Sequence, residues 1–279
     1  MKTILFPTDF SENAMHASQY AGMLARRFDA KVILLHSYTI ITPIASEYSL
    51  NYEMDNSVLQ IGNDAKVSLQ SFADKFIQTT GLPSEQITQI IEYGLVSDII
   101  VSTAKAMNVD LIVMSTKGAS NIFDKWLGTN AENVMESAEC PVWVIPENTP
   151  LNPPQTIMYA ADFKEDEIAA TYKLLEIAKP LGATCKVIHI HDYFELSIAR
   201  TVKEMVSDLK QEFAHEDVTF KDLNREEILK GLEVYIRTHK PDVLALAIYE
   251  KSFLSKIFDA SIAQHFIYEA KLPMLFFKK

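Results

Sequence analysis

The chain has 279 residues, of which 48% are apolar and 23% charged, as in ordinary globular proteins. Its formal net charge is −11, and basic residues cluster only in short runs such as Arg26 and Arg27, so neither nucleic acid nor a membrane is the expected partner. No run approaches the ~18 consecutive apolar residues of a membrane span. Two cysteines are too few for a disulfide framework, and the short start at residues 1–7 does not fit a signal peptide, so we expect a cytoplasmic protein.

Short apolar strands alternate with amphipathic helices through the first half of the chain. The apolar runs predict strands at residues 3–6, 31–36, 86–91, 111–114 and 142–145. Helical spacing predicts helices after the cap residue Ser11, at 57–80, at 97–107 and after Gly128. Inward-facing positions are expected at Ala14, Ala17, Ala21, Leu24 and Phe28 in the first helix, and at Val58, Ile61, Val67, Phe72 and Phe76 in the second.

This alternation predicts an α/β fold with a five-stranded parallel sheet, right-handed crossovers and helices on both faces. Such sheets bind ligands beyond the carboxyl ends of their strands, where the strand order reverses. Three groups of residues follow strands in this way: Pro7, Thr8 and Asp9; Ser37; and Met114 with Ser115. We therefore expect these residues to meet at one edge of the sheet.

The second half repeats the first after a proline-rich segment. Residues 147–154 read ENTPLNPP, which predicts an extended linker. Beyond it, residues 156–163 parallel residues 3–10, with Asp162 at the place of Asp9. Three further segments match in the same order: residues 186–193 match 31–38, residues 241–247 match 110–115, and residues 271–277 match 139–145. A period of roughly 150 residues indicates two domains of one fold, at residues 1–147 and 155–279.

The segment after residue 114 contains two of the chain's 8 glycines, Gly118 and Gly128. Glycine lets the backbone approach an anion closely, and Thr129 is placed to cap a helix whose N-terminus could face a phosphate. The alternative is a plain connection between two strands, with Gly118 as a turn residue and Thr129 as an ordinary cap. The residues alone leave both readings open.

The same segment resembles the nucleotide loop of the universal stress protein family. The family pattern is Gly, two residues, Gly, nine residues, Gly, then Ser or Thr; here Ser115 stands in the first glycine's place, followed by Gly118, Gly128 and Thr129. The opening KTILFPTDFSENA, the later KVILLHSY and the closing ECPVWVIP fit the same family. The resemblance implies two tandem Rossmann-like domains of the adenine nucleotide alpha hydrolase type.

The resemblance also implies a ligand, ATP, with or without bound Mg²⁺. The matching residues are Pro7, Thr8 and Ser37 around adenine, Asp9 at the ribose, and Met114, Ser115, Gly118, Gly128, Thr129 and Asn130 around ribose and phosphates. Alternatively, Asp9 caps the first helix. Ser115 and Ala131 depart from the pattern of ATP binders, which supports a rival function as a non-nucleotide interaction and dimerisation module.

The second copy has lost the glycines. Aligning Pro273 with Pro141 puts Glu250 at the place of Gly118, where a carboxylate would repel a phosphate. We therefore expect the second domain to bind no triphosphate and to pair with the first domain, as separate family subunits pair. The sequence leaves open whether the full chain also forms a homodimer.

No arrangement of residues names a catalytic base or nucleophile, so we expect at most a slow ATPase. His189 and His191 lie on one face of a strand and could form a metal pair, but a hydrogen-bonded core histidine pair is the alternative that we favour, and no metal site is predicted. The function predicted from the sequence is a stress protein that uses ATP in its first domain as a regulatory switch.

Overall fold

The structure, a computed structural model, describes residues 1–39, 50–116, 129–161, 163, 166–192, 198–225, 228–248 and 272–279. The chain forms two compact units, Met1–Ala138 and Glu139–Lys279. This division falls before the strand at 142–145, whereas the division proposed from the sequence falls after it. The assignment of domains at 1–147 and 155–279 stays a prediction.

The first unit alternates strands and helices as predicted. Its elements are β1 (Thr3–Pro7), α1 (Glu12–Phe28), β2 (Lys31–Tyr38), α2 (Leu50–Thr80), a 3₁₀ turn (Ser84–Gln86), β3 (Ile87–Tyr93), α3 (Val96–Ala106), β4 (Leu111–Ser115) and α4 (Thr129–Ser137).

The strand order in this unit is β3-β2-β1-β4, with parallel pairing of β1 to β2, of β2 to β3 and of β1 to β4. From β1 the chain proceeds to β2 and β3 on one side and then returns to place β4 on the other. The order therefore reverses between β1 and β4, which makes their carboxyl ends the expected ligand position.

The second unit repeats the pattern and adds one antiparallel strand. Its elements are β5 (Val142–Ile145), β6 (Thr156–Ala161), α5 (Glu167–Leu181), β7 (Thr184–Asp192), α6 (Ile198–Glu212), β8 (Val218–Arg225), α7 (Ile228–His239), β9 (Val243–Ile248) and β10 (Met274–Lys278).

The strand order here is β5-β10-β9-β6-β7-β8. Strands β6 to β10 pair in parallel, which confirms the predicted α/β class with a mostly parallel sheet. Strand β5 pairs antiparallel with β10, a pairing that the sequence did not predict.

Helix α1 begins and packs as its sequence predicts. The Ser11 hydroxyl accepts a hydrogen bond from the Ala14 amide at 3.1 Å and so caps the helix. The predicted inward face is buried throughout, because its small and apolar side chains recur every three or four residues: Ala14, Ala17, Ala21, Leu24 and Phe28.

Helix α2 differs from its prediction at both its start and its face. It begins at Leu50, earlier than the predicted residue 57. Ile61 and Val67, predicted to point inward, are 39% and 71% exposed, while Phe72 and Phe76 are buried as predicted. The buried stripe runs at three- and four-residue spacing through other positions: Ala65, Leu69, Phe72, Ala73 and Phe76. Val67 lies off this stripe, so its apolar character misled the prediction. Val58 lies outside the described side chains.

Each unit contains, within itself, a matching set of hydrogen bonds that the strand pattern alone would not reveal. The Asp110 carboxylate accepts from the amides of Lys2 and Thr3 at 2.7 and 2.9 Å. The Asp242 carboxylate accepts from the amides of Gln155 and Thr156, both at 2.9 Å. In each unit an aspartate before one strand thus fixes the start of the neighbouring strand, which extends the repeat to individual contacts.

The segment predicted as an extended linker contains a turn. The Thr149 amide and hydroxyl both donate to the Pro146 carbonyl, at 3.3 and 2.8 Å, and Thr149 is buried. Asn148 adopts a left-handed φ of 63° within this turn. The prolines therefore flank a turn that a threonine closes.

No helix in the described part of the chain is both long and apolar enough to cross a membrane.

Candidate functional site

The carboxyl ends of β1, β2 and β4 meet at one edge of the first unit's sheet. Strand β1 lies between β2 and β4, and the register pairs Pro7 with Leu35 on one side and Leu5 with Ile112 on the other. Because all three strands run in the same direction, the residues that end them share an edge. The residues gathered there are Pro7, Thr8, Asp9, Ser37, Met114 and Ser115. They include hydroxyls and a carboxylate, which hydrogen-bond ribose and base groups well.

The phosphate half of the predicted site is described only in part. Gly118 and Gly128 lie outside the described residues. Helix α4 spans Thr129–Ser137, and the residue before it is also outside the described part, so the cap at Thr129 stays a prediction. Asn130, the next residue, is exposed.

Four consecutive residues after β1 form a closely hydrogen-bonded turn. The Thr8 amide donates to the Leu35 carbonyl at 2.8 Å, and the Phe10 amide donates to the Thr8 hydroxyl oxygen at 3.0 Å. The Ser11 amide donates to Asp9 Oδ1 at 3.1 Å. The alternative that Asp9 caps α1 is therefore wrong, because Ser11 is the cap and Asp9 instead holds the amide of Ser11.

A histidine and a phenylalanine, neither of them singled out from the sequence, complete this turn. His36 Nδ1 lies 2.8 Å from the Thr8 carbonyl oxygen. Its ring stacks on Phe10 with 4.2 Å between centroids and 28° between planes. Phe10 has a φ of 66°, in the left-handed region that a bulky residue rarely adopts. Phe163 and His189, which repeat this pair at the same spacing, were the available signal.

The strand register corrects the predicted alignment of residues 186–193 with 31–38. Ile4 pairs with Val32 and Ile157 with Cys185, so β7 matches β2 two residues earlier than predicted. His189, not His191, therefore takes the place of His36.

The second unit repeats the histidine–phenylalanine pair at the end of β6. His189 Nδ1 lies 2.9 Å from the Ala161 carbonyl oxygen, and its ring stacks on Phe163 at 4.5 Å and 19°. Phe163 also has a left-handed φ, of 53°. His189 is buried, in agreement with the core-histidine alternative, while the His191 side chain lies outside the described residues. No group of three or more His, Cys, Asp or Glu in the described ranges is placed to hold a metal ion.

A buried ion pair distinguishes the second unit. Glu167, the first residue of α5, is 3% exposed and pairs with the Lys279 ammonium. Its two carboxylate oxygens also accept from the Tyr159 hydroxyl and the Phe163 amide, each at 2.9 Å. Glu167 follows β6 and Lys279 follows β10, so the pair links the chain beyond these two strands, which are the neighbours of β9 on either side.

Nothing in the spacing of Glu167 and Lys279 marks this pair in the sequence. In the repeat, the places of Tyr159 and Glu167 are taken in the first unit by Phe6 and Ala14. Only the difference between the two copies, a tyrosine and a glutamate in place of two apolar residues, could have indicated it.

The chain is similar to known proteins over half or all of its length. The Universal stress protein family matches residues 1–146. Two universal stress proteins of Methanocaldococcus jannaschii are 29% and 28% identical over 145 and 156 residues; each match covers 52% of this chain and 81% or 94% of the relative. Among solved structures, a universal stress protein from Archaeoglobus fulgidus covers 99% of this chain and 98% of its own, with 17% identity and a TM-score of 0.73.

Another solved structure, a universal stress protein in complex with cAMP, is 21% identical over 52% of this chain and 96% of its own, with a TM-score of 0.38. The full-length similarity to the Archaeoglobus structure establishes the fold, in agreement with the repeated α/β units described above. The family match spans more than half of the chain and includes the edge formed by β1, β2 and β4. The chain belongs to the universal stress protein family.

Proposed function

We propose that the first unit binds an adenine nucleotide, ATP, and that its occupancy is a regulatory switch in a cytoplasmic stress-response protein. The observation that carries this proposal is the placement of Pro7, Thr8, Asp9, Ser37, Met114 and Ser115 at the edge where the strand order reverses. Family membership supports it. The base and ribose would lie against the ends of β1 and β2.

The phosphates would extend toward the start of α4. This helix begins at Thr129, and the amides of a helix's first turn point outward with the positive end of its dipole. In our proposal Gly118, Gly128, Thr129 and Asn130 surround the phosphates, with Mg²⁺ as a companion ion. Occupancy would change the surface that this part of the chain offers to a partner.

No catalytic residue is assigned, and turnover of ATP is expected to be slow or absent. The second domain, in this proposal, does not bind the triphosphate. Its sequence places Glu250 where the first has Gly118, and beyond β6 it carries the Glu167–Lys279 ion pair where the first unit has Ala14 in place of Glu167. Pairing of the two domains and homodimerisation are further parts of the proposal.

The direct test is calorimetric titration of the purified full-length chain with ATP in the presence of Mg²⁺. GTP and cAMP serve as additional probes, the latter because a universal stress protein has been solved with it. We expect saturable binding of ATP at one site per chain and weaker binding of GTP. A flat titration with all three nucleotides would contradict the proposal.

The first prediction concerns Gly118→Glu, which copies the residue of the second domain. Two like charges about 4 Å apart repel by about 4 kcal/mol in a partly buried site, so ATP binding should fall below detection. The matched control is Glu250→Gly, which should leave the affinity unchanged. Circular dichroism and the melting temperature should stay those of the wild type. Wild-type affinity in Gly118→Glu would exclude this site.

A second candidate function has support from two residues. Ser115 replaces the first glycine of the family pattern, and Ala131 in the first turn of α4 is buried and offers no hydroxyl. These departures favour a family member that acts as an interaction module without nucleotide. Denaturing the purified protein and identifying released small molecules separates the two functions, because only the first predicts a released adenine nucleotide.

A further inference from the structure

The pair formed by His36 and Phe10 has no role in the function proposed so far. We propose that His36 is a positioning residue of the nucleotide site: its imidazole holds the Thr8 carbonyl and thereby sets the direction in which the end of β1 presents Thr8 and Asp9. This inference rests on the proposed binding of ATP to the first unit.

Three hydrogen bonds converge on Thr8. Its amide donates to the Leu35 carbonyl at 2.8 Å, and its hydroxyl oxygen accepts from the Phe10 amide at 3.0 Å. Its carbonyl lies 2.8 Å from His36 Nδ1. Thr8 is only 7% exposed. Of these three bonds, the one from His36 is the only one made by a side chain of another strand, so it can be removed without altering the sheet.

The second step is the assignment of the proton. A carbonyl can only accept, so Nδ1 of His36 must carry the hydrogen and donate it. In a neutral His36 the hydrogen therefore lies on Nδ1, because the hydrogen bond to the Thr8 carbonyl decides which ring nitrogen carries it. The donor is present in the neutral and in the protonated ring alike, so the contact needs no particular protonation state.

The third step is the conformation of Phe10. A φ of 66° is costly for a phenylalanine and persists only where the surroundings hold it. The Phe10 ring is held between His36, at 4.2 Å, and Phe72, at 6.0 Å. His36 therefore acts on both sides of Asp9, through the Thr8 carbonyl before it and the Phe10 ring after it.

The second unit supplies a matched control. His189 contacts the Ala161 carbonyl and stacks on Phe163 in the same way. A general contribution of this pair to folding should appear equally in both units. A contribution to ATP binding should appear only in the first.

The test compares two amide substitutions in the full-length chain. His36→Asn places its amide nitrogen near the former Nδ1 and keeps a donor to Thr8, whereas His36→Gln carries the amide beyond it and loses that bond. We expect His36→Gln to bind ATP about tenfold more weakly in calorimetric titration, which corresponds to 1.4 kcal/mol, and His36→Asn to stay within about threefold of the wild type. The same substitutions at His189 should lower the melting temperature similarly without changing the affinity.

Each outcome decides the inference. Wild-type affinity in folded His36→Gln overturns the positioning role and leaves the proposed function standing. Equal loss of affinity in His36→Gln and His189→Gln overturns it as well, because the effect would then be general. If His36→Gln does not fold, His36→Leu is measured under the same criterion, and failure of His36→Asn to rescue binding counts against the role. Absence of ATP binding in the wild type overturns the proposed function and this inference together.

Discussion

The carboxyl ends of β1 and β6 share one histidine–phenylalanine contact and differ in the side chains near it. At both, a phenylalanine with left-handed φ stacks on a histidine that contacts a carbonyl. Nearby, the first unit has Phe6 and Ala14, whereas the second has Tyr159 and Glu167, with Lys279 as the ionic partner. The histidine–phenylalanine contact is therefore retained between the copies, while an apolar pair in one copy is replaced by a hydrogen-bonded ion pair in the other.

The retained and the diverged contacts can be ranked by their expected contributions to stability. The ion pair occurs in the second unit at a place where the first unit has an alanine, so its removal should destabilise the second unit through a contact specific to it. The aspartate contacts at the strand starts occur in both units, so their removal should have similar effects in each.

The largest effect is expected from Lys279→Met. This change leaves the Glu167 carboxylate buried without its cation, and breaking a buried pair in this way typically costs about 3–5 kcal/mol. The free energy of unfolding, measured by urea denaturation, should fall by that amount. The double variant Glu167→Gln with Lys279→Met should recover part of it, since no charge is then left uncompensated.

A surface pair of the same unit provides the control. Lys179 Nζ lies 2.8 Å from Glu216 Oε1, and the two side chains are 56% and 29% exposed. Lys179→Met should therefore lower the free energy of unfolding by no more than about 1 kcal/mol. Equal costs at Lys279 and Lys179 would mean that burial does not raise the cost of breaking the Glu167–Lys279 pair.

A smaller and symmetric effect is expected from the two aspartates that fix strand starts. Asp110→Ala and Asp242→Ala each leave two backbone amides without their carboxylate acceptor, and hydrogen bonds to charged groups contribute about 1.5–3 kcal/mol. Hydrogen exchange should speed up at the amides of Thr3 and Thr156, respectively.

The equality of the two effects tests this comparison. Because each unit has one such aspartate contact at the same place in the repeat, the two substitutions should lower the free energy of unfolding by similar amounts. A large effect at one aspartate with none at the other would show that the units do not depend on the same contacts.

The sheet was predictable because its strands are apolar runs bounded by proline, glycine and polar residues. The run at 142–145 was bounded correctly, and the predicted helix α1 has its expected cap and buried face. The edge at which ligand residues gather followed from the alternation of strand and helix, since that alternation alone dictates a parallel sheet.

Features that depend on contacts between distant residues were not predictable. Val67 is apolar yet exposed, because the buried stripe of α2 is defined by what it packs against and not by hydrophobicity alone. The Glu167–Lys279 pair joins residues far apart in the sequence, and no local pattern announces it. The parts assigned to Gly118 and Gly128 in the site stay predictions, since both lie outside the described residues.

The smallest effect on stability is expected from the thiol of Cys185, which takes the place of Val32 in the strand register. Cys185 is buried on β7 at the place of that valine, and burial, followed by the nearby charge of Asp217, raises the pKa of its thiol from the ordinary 9.0 to about 12. Above pH 9 the unfolded chain loses this proton while the folded chain keeps it, so deprotonation favours unfolding. The contribution to stability is therefore complete below pH 9 and declines as the pH rises from 9 toward 12.

Cys185→Val copies the first unit and removes the titrating group. Between pH 8 and pH 10 the wild type should lose about 1 kcal/mol more unfolding free energy than this variant, since one pH unit corresponds to at most about 1.4 kcal/mol. Urea denaturation at both pH values measures the difference, and other titrating groups cancel because both proteins carry them. If the free energy of unfolding changed with pH equally in Cys185→Val and the wild type, the thiol of β7 would ionise as readily in the folded chain as in the unfolded one. Valine would then be no better suited than cysteine to this buried strand.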